Sequence, residues 1–260
     1  MKKVSENDFR EYIPWARMNT SNRVYPLSIA EEFQSGDIFV NDGPAVDAVL
    51  FWHYCGFCYL SGKATEGFLE DIYAEMMSEK KSRRMVLITD DESVIRFFRG
   101  KGAQTDSRIE YEYAGHGRAN GSLIQDRFRI EKINSENIAK IEGRIIPAFS
   151  WESSARFLEN GFGYIALEGE TVCAVAFSSA VSSEETDIGV ETREEYRGNG
   201  LAGTLAGKMC EEIIRIGKKP VWAHAASNTG SMKTALRCGF AEKKRNTLIR
   251  CERQEADRFQ

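Results

Sequence analysis

No stretch of this sequence approaches the roughly twenty uninterrupted apolar residues that a membrane-spanning helix needs. The most apolar segment, AVDAVLFWHYCGFCYL, is interrupted by Asp47, His53 and Gly56, so no membrane partner is expected and the chain is read as soluble. The opening MKKVSENDFREY has the basic residues of a secretory signal but no apolar run behind them, which points to the cytosol. Positive charge is not in excess either. Lys and Arg number 35 against 39 Asp and Glu, a net charge of −4, which argues against a general grip on nucleic acid while allowing local capture of a small anion. Cysteine is sparse: six in 260 residues do not form a secreted framework, so free thiols are expected. Cys55 and Cys58 have C-x-x-C spacing, but no second pair follows and the segment reads as apolar strand. His53 and His116 have no partners at metal-ligand spacing, and no metal site is expected.

What is present is an ordinary globular balance, with 42% hydrophobic and 28% charged residues. A chain of 260 residues suggests two domains. The composition breaks at AGHGRANGS, residues 114–122, where turn-forming residues replace apolar periodicity. The expected domains are therefore 1–122 and 123–260.

Upstream of the break, strands are expected at 37–40, as one β-like run at 48–60, at 85–89 and at 108–113, with helices at 66–77 and 92–99. Phe68, Leu69, Ile72, Tyr73, Met76 and Met77 recur at helical spacing in the first helix, and Asp90 or Asp91 caps the second. Downstream, strands are expected at 128–133, 163–167, 171–177, 186–192, 220–225 and 240–249. Helices fit 135–141 with Ser135 as cap, 151–159, 199–216 and 228–238. This mixture defines an α/β protein with a mixed α+β sheet and helices on both faces. Both halves contain the order β-β-α-β-α-β, which leaves an ancient duplication open although they share no alignable motif.

The most informative stretch is Tyr196-Arg197-Gly198-Asn199-Gly200-Leu201-Ala202, between a strand end and an amphipathic helix. Two glycines let the chain turn tightly at a helix start, where unpaired N–H groups and the positive end of the helix dipole converge on an anion. The main chain would supply the grip, so a basic patch is not required, and a pyrophosphate suits the site. A plain glycine-rich turn is the alternative.

Arg197-x-x-Gly200-x-Ala202 resembles the signature of the GNAT acetyltransferases, placed between the fourth strand and third helix of that fold. The segment from Asn228-x-x-Ser231 to Gly239-Phe240 is similar to the family's second cofactor segment. The resemblance covers about residues 127–250, and Phe57-Cys58-Tyr59-Leu60-Ser61-Gly62 resembles the two-part group that includes zwittermicin-resistance-type enzymes. It implies a C-terminal acyl-CoA fold beside an N-terminal, degenerate GNAT-like domain that shapes the acceptor site. The cofactor implied is acetyl-CoA and the partner a small-molecule amine, attacking the thioester directly while a main-chain N–H of the fourth strand stabilises the oxyanion.

By the same resemblance the fourth and fifth strands splay, and the pantetheine pairs near Val190 and Thr192. Its pyrophosphate lies on the amides of Gly198, Asn199, Gly200, Leu201 and Ala202 beside Arg197, and Asn228 and Ser231 face the pantetheine or thioester. A carboxylate on the fourth strand is the usual base, which makes Glu191 and Asp187 the catalytic candidates. Four residues apart on a strand they share a face, which is either the acceptor cleft or solvent beside Glu184 and Glu185. His224 on the fifth strand is a further candidate base, or a packed strand histidine. The family's tyrosine acid falls at Ala235, so a CoA-binding module without catalysis stays open, as does a protein or peptide acceptor.

Overall fold

The computed structural model describes residues 1–115 and 125–251. Residues 116–122 of the expected boundary segment, with His116, lie outside the described residues. In chain order the elements are β1 (Lys2–Lys3), α1 (Ile13–Met18), α2 (Val24–Ala30), β2 (Gly36–Val40), β3 (Ala48–His53), β4 (Phe57–Gly62), α3 (Glu66–Met77), β5 (Val86–Thr89), α4 (Glu92–Gly100) and β6 (Gln104–Tyr113). There follow β7 (Phe128–Lys132), α5 (Ser154–Asn160), β8 (Gly163–Glu168), β9 (Thr171–Val181), β10 (Glu185–Thr192), α6 (Leu201–Arg215), β11 (Lys219–Ala225), α7 (Thr229–Arg237) and β12 (Phe240–Arg250). Two compact units are formed, one by Met1–Arg108 with the chain from Arg245, the other by Ile109–Lys244.

In the first unit β2, β3 and β4 form an antiparallel meander, β1 pairs antiparallel with β2, and β5 runs parallel to β4 and antiparallel to the end of β12. Every residue of β3 is buried, because its two faces serve two cores. Ala48, Leu50 and Trp52 pack with α3 and α4, whereas Val49 and Phe51 pack with α1 and α2. The expected single run over 48–60 is in fact two strands. Gly56 turns the chain at φ +89°, and a Cβ there would lie 2.6 Å from the carbonyl oxygen of Arg84, so only glycine fits. Cys55 and Cys58 form no disulfide and are buried beside this turn, and burial pushes the Cys58 thiol well up.

The second unit is built on the strand order β6-β11-β10-β9-β8-β7. Strands β7 to β10 are antiparallel, while β10 and β11 are parallel, as the crossover through α6 requires. Leu201, Leu205, Met209 and Ile213 of α6 recur every fourth residue and are buried with Ala174, Ala176 and Ile188 on one face of the sheet. On the other face, Phe177 of β9 meets Phe157 of α5 with ring centroids 6.3 Å apart. Helices thus cover both faces, as the sequence implies. The expected helix at 135–141 is only a short turn at Ile138–Lys140. Asn134 Oδ1 accepts the N–H groups of Glu136 and Asn137, and Asn137 Oδ1 accepts that of Asn134, so side chains take the donors a helix would use.

Candidate active site

The site begins where two parallel strands part. Glu185, Thr186 and Asp187 of β10 pair with Lys219, Pro220 and Val221 of β11, and there the pairing stops, although β10 continues to Thr192 and β11 to Ala225. The five residues 188–192 give about 16 Å of β10 whose β11-facing edge is open. An irregularity in β9–β10 register falls at the same place, between Asp187 and Ile188. Val190 and Thr192 lie on this open reach, and Thr192 Oγ1 is buried without a hydrogen-bond partner among the described residues.

After β10 the chain makes the glycine loop. Gly198 has φ +83° and Gly200 has φ +76°, and Gly200 caps the N-terminus of α6 in the left-handed conformation. Asn199 braces the loop: its Nδ2 donates to the Tyr196 carbonyl (2.9 Å), and its Oδ1 accepts from Arg127 Nη2 (3.2 Å). Arg127 also pairs with Glu168 at 2.9 Å, a brace with no counterpart in the sequence reading. Among the described residues, none of the N–H groups of residues 198–203 donates a hydrogen bond, whereas the next, Thr204, donates to the Gly200 carbonyl. These donors and the positive end of a 15-residue helix suit an anion. Arg197 is exposed and lies 3.8 Å from Glu194.

Asn228 and Ser231 lie at the start of α7, after β11. Asn228 Oδ1 accepts the Ser231 N–H (3.0 Å) as helix cap, and Ser231 Oγ accepts from Trp222 Nε1 (3.0 Å). Ala235 is fully buried in the core under α6 and α7. His224 is also buried: its Nε2 is 3.2 Å from the Tyr111 hydroxyl and its Nδ1 is 2.8 Å from the Ala225 carbonyl. A carbonyl only accepts, so Nδ1 carries a proton. In the neutral ring, Nε2 then accepts from the tyrosine.

The two candidate carboxylates stand at different places along β10. Asp187 is 3% exposed at the last β10–β11 rung. Between the two lies Gly189, where a Cβ would come within 2.7 Å of the Phe177 ring, so the absence of a side chain admits that ring. Glu191 stands about 13 Å further along the strand. Its Oε2 accepts the N–H of Arg144 (2.7 Å) and that of Ile145. Glu191 borders a cleft together with Glu142, Gly143, Val172, Val175 and Arg193. The contact of Glu191 with 143–145 was not visible in the sequence.

A mixed sheet whose parallel strands part beside a glycine-turned helix start is the arrangement of an acyl-CoA-type α/β fold. The GNAT acetyltransferase family model matches residues 18–249, so the match takes in the first unit as well as the segment from about 127 on. The chain belongs to the GNAT acetyltransferase family. It is 31% identical over 90 residues to the uncharacterized N-acetyltransferase YdfB of Bacillus subtilis (strain 168), a match covering 35% of this chain and 34% of that protein. The chain thus aligns with about a third of that relative's length. Among solved structures, a GCN5-related N-acetyltransferase-like protein from Streptococcus suis 89/1591 shares its fold, with a TM-score of 0.72 at 21% identity over 95% of this chain and 99% of that one. A tandem GNAT protein of the clavulanic acid biosynthesis pathway has a TM-score of 0.64 at 13% identity, covering 95% and 96% of the two chains. Among the described residues, no helix is long and apolar enough to cross a membrane, and no group of three or more His, Cys, Asp or Glu side chains could hold a metal ion.

Proposed function

We propose that the chain is an acetyl-CoA-dependent N-acetyltransferase acting on the amine of a small molecule. The observation that carries this reading is the parting of β10 from β11 after Asp187 and Val221. Around it are features that fit the cofactor: the undonated N–H groups of residues 198–203 and the orphaned Thr192 hydroxyl. Gly198, Asn199, Gly200, Leu201 and Ala202, with Arg197 alongside, are assigned to the pyrophosphate. Val190 and Thr192 are assigned to the pantetheine arm, and Asn228 and Ser231 to its far end. Bound acetyl-CoA would supply an activated acetyl group.

The chain's own work is positioning and proton removal. An amine arrives as an ammonium and must lose a proton before it can attack. Asp187 is assigned that proton, because it lies at the apex where the open strands meet. The main-chain groups of β10 beyond the apex, not taken up by β11, are placed to stabilise developing negative charge. With Ala235 in the tyrosine's place, thiolate leaves without a proton from α7, which a thiol of ordinary pKa near 8.5 permits.

The cleft beside Glu191 is assigned to the part of the acceptor remote from the reacting amine. Glu142 and Glu191 against Arg193 leave one net negative charge at its rim, which favours a cation. The second reading, a CoA-binding module without catalysis, is favoured by Ala235, which has no proton to give. Titration with acetyl-CoA, followed by thiol release with a panel of small amines, separates the two. Binding with amine-dependent release supports the transferase, and binding without it supports the module.

A further inference from the structure

We infer that Glu191 is a positioning residue, a latch that pins residues 143–145 across the end of β10 and so shapes the acceptor end of the cleft. The functional part of this inference rests on the transferase reading, but the latch itself does not. A carboxylate oxygen that accepts two consecutive main-chain N–H groups is a strong local anchor, since hydrogen bonds to an ionised acceptor are about twice as strong as neutral ones. Glu191 Oε2 does this for Arg144 and Ile145.

The sequence around the contact is built for it. Gly143 has φ +141°, and a Cβ added there would lie 2.9 Å from Glu191 Oε2 and 3.0 Å from its Cδ. A side chain at 143 and the Glu191 carboxylate cannot both keep their places, so one of them must shift. Two residues beyond Glu191, Arg193 makes a second tie, with Nη2 3.0 Å from Glu142 Oε2. Arg193 is itself fixed, because its main-chain N–H donates to the Cys173 carbonyl at 2.9 Å. Both ties join the end of β10 to the same four residues, 142–145, and both border the cleft. Glu191 Oε2 is thus engaged twice by the main chain, and the carboxylate holds the loop whichever group takes the proton.

Amide hydrogen exchange at Arg144 and Ile145 tests the latch in the full chain without any substrate. In Glu191→Ala both amides should exchange faster, by roughly tenfold or more. Glu191→Gln keeps a carbonyl oxygen in place and should retain most of the protection. Gly143→Ala leaves the carboxylate intact, so it keeps the test usable if Glu191→Ala does not fold, and it should also speed exchange. In turnover, Glu191→Ala and Gly143→Ala should raise the acceptor KM with little change in acetyl-CoA affinity, and Glu191→Gln should keep the wild-type shape of the pH–rate profile. Equal exchange in wild type, Glu191→Ala and Gly143→Ala would overturn the latch. Loss of one limb of the pH–rate profile in Glu191→Gln would overturn it as well, by making Glu191 the base. If exchange behaves as expected and no amine releases thiol, the latch stands and the transferase reading fails.

Discussion

Asp187 and Val221 form the last rung between β10 and β11, and from that rung the two strands part. If Asp187 accepts the proton of the incoming amine, Asp187→Asn should remove the low-pH limb of the pH–rate profile and lower kcat by about 10²–10⁴-fold. Acetyl-CoA affinity should hardly change. The side chain is buried, so a thermal melt of the variant must accompany the kinetics. An unchanged pH–rate profile in a folded Asp187→Asn protein removes the assignment.

Gly198 separates cofactor binding from backbone strain. It holds φ +83°, and a Cβ there would meet nothing within 4 Å. Alanine should therefore cost about 1–2 kcal/mol of left-handed strain and no steric clash. If the pyrophosphate lies on this loop, the Cβ enters its space, and calorimetric titration should show acetyl-CoA affinity falling by more than tenfold. A stability loss with unchanged affinity would move the cofactor elsewhere.

Asn228 can be divided in the same way, because it caps α7 through Oδ1. Alanine should destabilise by about 1 kcal/mol. Aspartate caps equally well, so Asn228→Asp should melt near wild type. Yet if Asn228 contacts the pantetheine arm, the carboxylate lacks the amide's N–H donor, and acetyl-CoA binding should weaken several-fold. Equal affinity for Asn228→Asp and wild type would confine Asn228 to capping.

Tyr111 and His224 are read as a buried structural pair. Tyr111→Phe leaves the buried His224 Nε2 without its donor, which should cost about 1–3 kcal/mol in a denaturant melt. The pH–rate profile should keep its shape. A lost limb would instead make this pair part of the proton path.

The first unit carries its own pH dependence. His53 is fully buried, and burial with the Arg83 charge nearby lowers its pKa from 6.5 to about 3. Unfolded, the imidazole binds a proton below about pH 6.5, while folded it stays neutral down to about 3, so the unfolded state gains as acid is added. Stability should be full above pH 6.5 and fall progressively toward pH 3, by a few kcal/mol at most. Urea melts across that range should lose this part of the slope in His53→Gln.

Much of the framework was legible because its residues obey one period. The apolar period of α6 and the glycines at 198 and 200 are local signals. What was missed depends on distant partners or on uniform burial. All seven residues of α2 are buried, so it has no polar face to betray a helix, and β3 and β4 read as one run because the turn between them is nearly as apolar as they are. The helix expected at 135–141 fails because Asn134 and Asn137 satisfy the main chain locally. The latch joins Glu191 to residues 46 and 47 positions earlier, a separation no local pattern encodes.

The most direct test of the central claim is thiol release from acetyl-CoA, measured with and without a panel of small cationic amines, for wild type and Asp187→Asn. The account predicts release that depends on at least one amine, saturates with it, and falls steeply in Asp187→Asn. Tight acetyl-CoA binding with no amine-dependent release from the wild-type protein would contradict it.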